Sequence, residues 1–374
     1  MLLFLRGKNI SNKFIPISEP NIGQKEINYI NKAVKSGWIS SLGDYVQKFE
    51  NDFAKYCGRK YGVSVSNGTV ALHLALVTLG IGGDDEVIIP NFAFVAVANA
   101  VTYTRAKVVP VDIEPDTWNI DPDKIEGKIT KKTKAIIAVH TFGHPADVDP
   151  ISKIAKKYNL LVIEDAAEAH GAEYKGKKVG SFGDISCFSF YGNKTITTGE
   201  GGMCLTDNEN LYKKMLLLRD HGMKKEKKYW HEVIGYNYRL ANLQAALGCA
   251  QLEKINKFIR IKRENAELYK KLLRNLSWIT LPVERKYAKN IYWMFSILID
   301  DYDRDLVIKK LKKANIDSRV FFYPISDLPP YKNKVKDKDL EVSKKIAYQG
   351  LNLPSSTKLR VREIRYICKT LENL

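Results

Sequence analysis

Phe188-Ser189-Phe190-Tyr191-Gly192-Asn193-Lys194-Thr195-Ile196-Thr197-Thr198-Gly199-Glu200-Gly201-Gly202-Met203 is the stretch from which the rest of this chain is best read. An apolar run of strand type leads into a turn, one lysine and a glycine-rich exit. Aromatic and small residues flank Lys194 on both sides, which marks it off from an ordinary surface lysine. Burial lowers a lysine pKa, and a neutral amine can form a Schiff base with an aldehyde. The glycines let the backbone pass close to a bulky ligand. A lysine at a strand end beside an ordinary turn would look the same, so this stretch alone leaves both readings open.

The chain has 374 residues, of which 45% are hydrophobic. That is enough for one large domain and a smaller one. The formal net charge is +18, carried mostly by lysine. The lysines are spread along helical segments rather than gathered in a tail, which fits a solvated surface first and an anionic substrate second. No RNP, zinc-finger or basic-zipper pattern accompanies the charge, so no nucleic acid partner is expected. Cys57, Cys187, Cys204, Cys249 and Cys368 are odd in number and contain no Cys-x-x-Cys pair. No metal site is expected, and a reducing compartment fits. The apolar run Leu2-Leu3-Phe4-Leu5 is cut by Arg6 and is too short for a signal or a membrane span. The expected setting is the cytoplasm, with no membrane partner.

Outward from the lysine stretch, the chain alternates strand and helix signals. Pro16 and Pro20 mark residues 1–20 as an irregular arm. Helices are expected over Gln24–Lys35 and Asp44–Cys57, with the Trp38–Gly43 loop between them. The strand Tyr61–Val65 ends in Ser66-Asn67-Gly68-Thr69, which opens a nearly all-apolar helix. Free N–H groups and the helix dipole make such a turn a ready anion site. His73, within that helix, reads as a core histidine. Strands are expected at Glu86–Pro90, Lys107–Ile113, Lys134–His140 and Leu160–Asp165, and helices over Phe94–Val101 and Val148–Tyr158. Apolar strands separated by helices mean a largely parallel α/β sheet covered on both faces, with ligands at the carboxyl ends of its strands.

Asp165 stands at such an end, where an unpaired carboxylate is costly. It could instead cap the next helix, and the two roles are compatible. Glu168, three residues on, could face the same pocket. Beyond the lysine stretch, one very long helix is expected over Asn242–Leu276, linking two domains. A small α/β domain follows, with Tyr331–Lys338 as an exposed loop.

A phosphate-type turn, an aromatic after Pro90, a strand-end carboxylate and a lysine with a glycine exit form the set that pyridoxal phosphate requires. At these residues the chain resembles the sugar aminotransferases of the DegT/DnrJ/EryC1/StrS family. The matches are Gly37-Trp38-Ile39-Ser40-Ser41, Ser66 to His73, Glu164 to Ala169, Ser189 to Met203 and Gly235-Tyr236-Asn237-Tyr238-Arg239. The resemblance implies the aspartate-aminotransferase (type I) fold. It divides the chain into an arm (1–20), a large cofactor-binding domain (21–255) and a small C-terminal domain (256–374). It makes Lys194 the Schiff-base lysine, Asp165 the partner of the pyridine nitrogen and Glu168 a neighbour of the ring hydroxyl. It makes Gly68, Thr69 and Ser189 the phosphate cradle and Phe94 the stacking aromatic. Ala93 departs from the threonine of many relatives and removes one hydroxyl contact. Asn237 would reach the phosphate of a neighbouring subunit, which implies a homodimer with shared sites. Trp38, His221, Phe321 and Tyr323 are the candidate sugar-nucleotide contacts. L-Glutamate is the implied donor and a nucleotide-linked 4-keto-6-deoxy sugar the acceptor. Arg319 to Pro324 favours a GDP sugar over the UDP- or dTDP-linked alternatives. A dehydratase branch of the family has histidine in place of the lysine, and Lys194 argues against it. A basic binding protein that kept the fold without the chemistry would not need Lys194, Asp165 and Ser189 together.

Overall fold

The strand and helix signals resolve into three sheets in the computed structural model, which describes residues 13–332 and 339–374. The helices are α1 (Gln24–Lys35), α2 (Asp44–Cys57), α3 (Gly68–Thr78), α4 (Ala96–Tyr103), α5 (Val148–Tyr158), α6 (Glu209–Arg219), α7 (Asn242–Leu252), α8 (Ile255–Leu273), α9 (Arg304–Lys313), α10 (Glu341–Gln349) and α11 (Val361–Glu372). The main sheet takes β1 (Tyr61–Val65), β2 (Glu86–Pro90), β3 (Lys107–Val111), β4 (Thr133–Val139) and β5 (Leu161–Asp165). The short β6 (Glu173–Tyr174) and β7 (Lys177–Lys178) follow, then β8 (Ile185–Ser189) and β9 (Gly202–Thr206), which return to the main sheet. The C-terminal part adds β10 (Ile279–Thr280), β11 (Ala288–Lys289), β12 (Phe295–Ile299), β13 (Arg319–Val320) and β14 (Gly350–Leu353).

The seven-stranded sheet has the order β1-β9-β8-β5-β4-β2-β3. β9 pairs antiparallel with both of its neighbours, and the pairs from β8 to β3 are parallel. The chain is thus α/β with a mostly parallel central sheet. Side-chain alternation assigns its faces. Ile163, Ile185 and Cys187 point to the layer that holds α3 and α4, while Phe188 packs with Phe49, Phe53 and Phe190 on the other side. By the same alternation Asp165 and Ser189 lie on the α3 face and Glu164 on the opposite one. A second sheet, β10-β12-β14-β13, is antiparallel, and β11-β6-β7 forms a third.

Two strand ends fasten the C-terminal part to the main sheet. Asp112, just past β3, accepts the Val342 and Ser343 N–H groups at the start of α10 at 3.0 and 2.7 Å. Asn91, just past β2, accepts the Ser326 N–H at 2.9 Å and donates to the Ser326 and Ser343 hydroxyls at 3.1 and 2.8 Å.

The long helix expected from Asn242 to Leu276 is two helices, α7 and α8, broken at Glu253-Lys254. Both residues are good helix formers. The break has a tertiary cause: Lys254 pairs with Glu26, and Glu253 pairs with Lys25 and Tyr29 on α1. The arm is ordered where described: Ile15 bridges Ile316, and Ile17 is buried. Residues 1–12 of the arm and 333–338 of the expected loop lie outside the described residues. Tyr331, expected on an exposed loop, is buried and donates to Asn99 Oδ1 at 2.6 Å. All five cysteines are buried and free. No helix among the described residues is long and apolar enough to cross a membrane.

Candidate active site

The loop from β8 to β9 folds back on its own strand. Thr197 Oγ1 and the Thr198 N–H both donate to the Phe190 carbonyl at 2.9 Å, and the Gly199 N–H donates to Thr197 Oγ1 at 2.9 Å. Gly199 has φ +83°, a conformation glycine adopts without strain. The threonines of the opening stretch therefore close the loop and leave Lys194 on its turn, where the Lys194 N–H donates to the Tyr191 carbonyl at 2.9 Å. Lys194 Nζ stands 3.9 Å from Glu168 Oε1 and 3.9 Å from the centroid of the Trp293 ring. Trp293 Nε1 donates to the Asn193 carbonyl at 2.8 Å, beside the lysine.

Burial lowers the Lys194 pKa, against the pull of Glu168 and Asp165. Burial likewise pushes Glu168 up to about 7, although Lys194 and the Phe142 N–H oppose it. Both partners move toward neutrality because their separation is too long for a hydrogen bond to repay desolvation. Glu168 Oε2 accepts the Phe142 N–H at 2.8 Å. Phe142 has φ +51°, a strained conformation for a bulky residue, and its N–H is thereby aimed at the carboxylate.

Asp165 ends β5 and is 6% exposed. Its Oδ1 accepts the Ala167 N–H at 3.0 Å, and Oδ2 has no partner among the described residues. Burial raises its pKa, with the Ala167 N–H and Lys194 opposing. A carboxylate so placed awaits a cationic group. Glu164, on the other face, is fully satisfied. It accepts from His140 Nε2 at 2.9 Å, Ser186 Oγ at 2.8 Å and the Gly180 and Phe182 N–H groups at 2.6 and 3.0 Å. His140 Nδ1 accepts the Ala146 N–H at 2.9 Å, so the ring proton sits on Nε2. Burial opposes the charge on Glu164, but these hydrogen bonds hold its pKa below the usual range.

A cradle lies at the start of α3. Asn67 Oδ1 caps the Val70 N–H at 3.0 Å, while the Gly68 and Thr69 N–H groups have no acceptor among the described residues. A Cβ on Gly68 would meet Ser189 Cβ at 2.7 Å and Oγ at 3.2 Å. Glycine thus lets the helix start approach the Ser189 hydroxyl. Around Lys194, Asn193 Oδ1, Thr195 Oγ1 and His170 Nδ1 are buried without partners among the described residues. Free N–H groups beside a hydroxyl, an unpaired carboxylate oxygen and a buried amine fit the phosphate, ring nitrogen and aldehyde of pyridoxal phosphate. Phe94 presents an exposed ring 5.7 Å from that of Phe322.

The remaining candidates are scattered. Asn237 is exposed and accepts from Arg239 Nε at 3.0 Å, and Arg239 Nη2 is 3.4 Å from His221 Nε2. Neither Asn237 nor His221 bonds to Lys194, Asp165 or Ser189 within the chain. The Trp38 ring is exposed and its carbonyl accepts from Asn242 Nδ2 at 2.6 Å. Tyr323 is exposed beside Tyr348. Phe321 departs from expectation. It is 2% exposed and packed against Phe142, Trp118 and Phe92, with no ring face left for a ligand. Sequence reading missed Trp293, His140 and Phe142. His140 had a signal, a polar residue closing an apolar strand; the other two had none.

The family model described as the DegT/DnrJ/EryC1/StrS aminotransferase family matches residues 20–372. The chain is 47% identical over 360 residues to the GDP-perosamine synthase of Escherichia coli O157:H7, covering 96% of this chain and 98% of that one. It is 43% identical to the GDP-perosamine synthase of Caulobacter vibrioides, covering 96% and 98%. Among solved structures it is similar to S. venezuelae DesV, with TM-score 0.89, 32% identity and coverage of 93% and 94%. Helicobacter pylori PseC, an aminotransferase involved in the biosynthesis of pseudoaminic acid, superposes with TM-score 0.92 at 28% identity, covering 96% and 99%. The chain belongs to the DegT/DnrJ/EryC1/StrS aminotransferase family and is a pyridoxal phosphate-dependent transaminase.

Proposed function

We propose that this enzyme moves an amino group from L-glutamate to C4 of a GDP-linked 4-keto-6-deoxy sugar, GDP-4-keto-6-deoxymannose, giving GDP-perosamine in the cytoplasm. The observation that carries this reading is the full-length likeness to GDP-perosamine synthases at 41% to 47% identity. The 256–374 segment is taken as the small domain.

Pyridoxal phosphate, when bound, supplies the electron sink that deprotonation of an amino-acid carbon needs. The Gly68 and Thr69 N–H groups and the Ser189 hydroxyl would hold its phosphate. Asp165 Oδ2 would pair with its ring nitrogen and keep a proton there, and Phe94 would cover its face. Lys194 Nζ, whose pKa burial lowers, takes the proton from the α-carbon of glutamate. In the second half it delivers a proton to C4 of the sugar. Glu168 holds the Phe142 turn in place and sets the charge beside that amine. The Trp293 ring covers one side of that amine.

A second copy of the chain completes the site. The support is an exposed apolar set, Trp38, Ile39, Leu42, Val233 and Ile234, in segments that flank Asn237 and the start of α7. Asn237 then serves the phosphate of the neighbour.

A substrate panel tests the reading. L-Glutamate is supplied with GDP-4-keto-6-deoxymannose or with UDP- and dTDP-linked keto sugars, and the products are read by mass and by release of 2-oxoglutarate. Amination of the GDP sugar, absent in Lys194→Ala, is expected. Amination of a UDP or dTDP sugar with the GDP sugar left unchanged refutes the substrate. Turnover by Lys194→Ala refutes the role of the lysine.

A further inference from the structure

The Lys194 amine has no hydrogen bond to any described residue, yet its immediate surroundings are fixed. Glu168 Oε1, at 3.9 Å, is beyond hydrogen-bond reach. The Trp293 ring centroid, also at 3.9 Å, is well inside the range in which a cation is attracted to an aromatic face. The indole is 3% exposed and is held from several sides. Its Nε1–H donates to the Asn193 carbonyl, and Phe142 stacks near it at 6.3 Å and 27°. Its own carbonyl accepts at 3.0 Å from Lys262 Nζ, which also donates to the Ser355 carbonyl at 2.8 Å. Lys262 is buried on α8, and desolvation lowers its pKa to about 7. The charged and titratable groups that face Lys194 are Asp165 at the end of β5, Glu168 after it, Arg319 on β13 and His170 behind Ser189.

We propose that Trp293 is a further catalytic residue: its indole face receives the Lys194 ammonium whenever that amine is free. An ammonium is attracted to the negative ring face, and a neutral amine gains little there. The proton taken from carbon therefore rests on Nζ against a surface that makes no hydrogen bond. It can be passed to the next carbon without first breaking one. The Nε1–H bond to Asn193 keeps the lysine turn in register with that face. The proposal rests on Lys194 being the reactive amine, and its test does not read turnover.

Full-length protein prepared without cofactor is acetylated with trace acetic anhydride across a pH series. Labelling of Lys194 and of surface lysines is measured by peptide mass spectrometry. Trp293→Leu removes the aromatic face, and Trp293→Phe keeps a weaker one while losing the Nε1–H. The labelling midpoint of Lys194 is expected to fall by about one pH unit in the Leu variant and by less in the Phe variant. The surface lysines should not change. A midpoint unchanged or raised in the Leu variant overturns the proposal, however much the labelling rate rises through added access. If the Leu variant does not fold, the Phe variant decides: a lowered midpoint supports the proposal and an unchanged one overturns it. Failure of the underlying reading would appear separately, as turnover by Lys194→Ala.

Discussion

Glu168→Gln separates charge from shape at the centre of the site. Glutamine keeps an oxygen to accept the Phe142 N–H, which Glu168 Oε2 accepts at 2.8 Å. It removes a carboxyl whose pKa burial lifts from the ordinary 4.5 to about 7. The folded protein therefore holds this proton more tightly than the unfolded chain. Its contribution to stability is complete below pH 4.5 and is lost as pH rises through 7. At about 1.36 kcal/mol per pH unit, the loss between pH 5 and pH 8 is about 2 to 3 kcal/mol. Glutamine does not titrate, so the variant should gain that much on the wild type over the same interval. With about 2.1 cal/mol/K of unfolding entropy per residue, the gain corresponds to roughly 3 °C in Tm for a chain of this length. Thermal melting of both proteins without cofactor, at pH 5 and pH 8, measures it. A Tm difference that is the same at both pH values would refute the reasoning.

Gly68→Ala should fill the cradle, because the new Cβ lies 2.7 Å from that of Ser189. Cofactor affinity should drop by about tenfold or more, equivalent to about 1.4 kcal/mol; an unchanged Kd by absorbance titration would mean the phosphate sits elsewhere. Asp165→Asn should cut kcat by about a hundredfold or more, the scale seen when a preorganised charge is lost from a site. Near-normal rates would assign the ring proton to another group. Asn237→Ala and Lys194→Ala chains, each inactive or weakened alone, should regain activity when mixed and reassembled, because one site then has both residues intact; no recovery would count against sharing between subunits.

The elements that could be read from sequence are those whose order is local. α1 and α2 fall on the residues that apolar periodicity and glycine stops assign. Asp165 is legible because a polar residue closing an apolar strand must face a partner or a ligand, whereas Ser189 stands out only through the family resemblance. Lys194 becomes legible only when its glycine exit is set beside the Ser66 to Thr69 turn and Asp165. The α7–α8 break was not, since Glu253 and Lys254 favour a helix and only their distant partners on α1 turn the chain. Thr197 and Thr198 had no derivable task until their bonds to Phe190 were seen. Trp293 reaches Lys194 across 99 residues of sequence, and nothing in its own neighbourhood announces the contact. Phe321 misled for the reverse reason: an aromatic run such as Phe321-Phe322-Tyr323 does not tell which ring turns inward.

The fastening of the C-terminal part at Asn91 and Asp112 limits how the enzyme can work. Swinging that part away from the main sheet would strip a buried carboxylate of two N–H donors and a buried amide of all its side-chain partners. Leaving such groups unsatisfied costs on the order of 1–3 kcal/mol each. Both sit at the carboxyl edge that also carries Asp165 and Ser189, so the hinge a clamshell would need is bolted at the site itself. Substrates must then enter and leave past side chains and loops at the rim, such as Phe94 and Tyr323. The two halves of the reaction are then served by one strand edge, to which an amino acid and a sugar nucleotide come by turns.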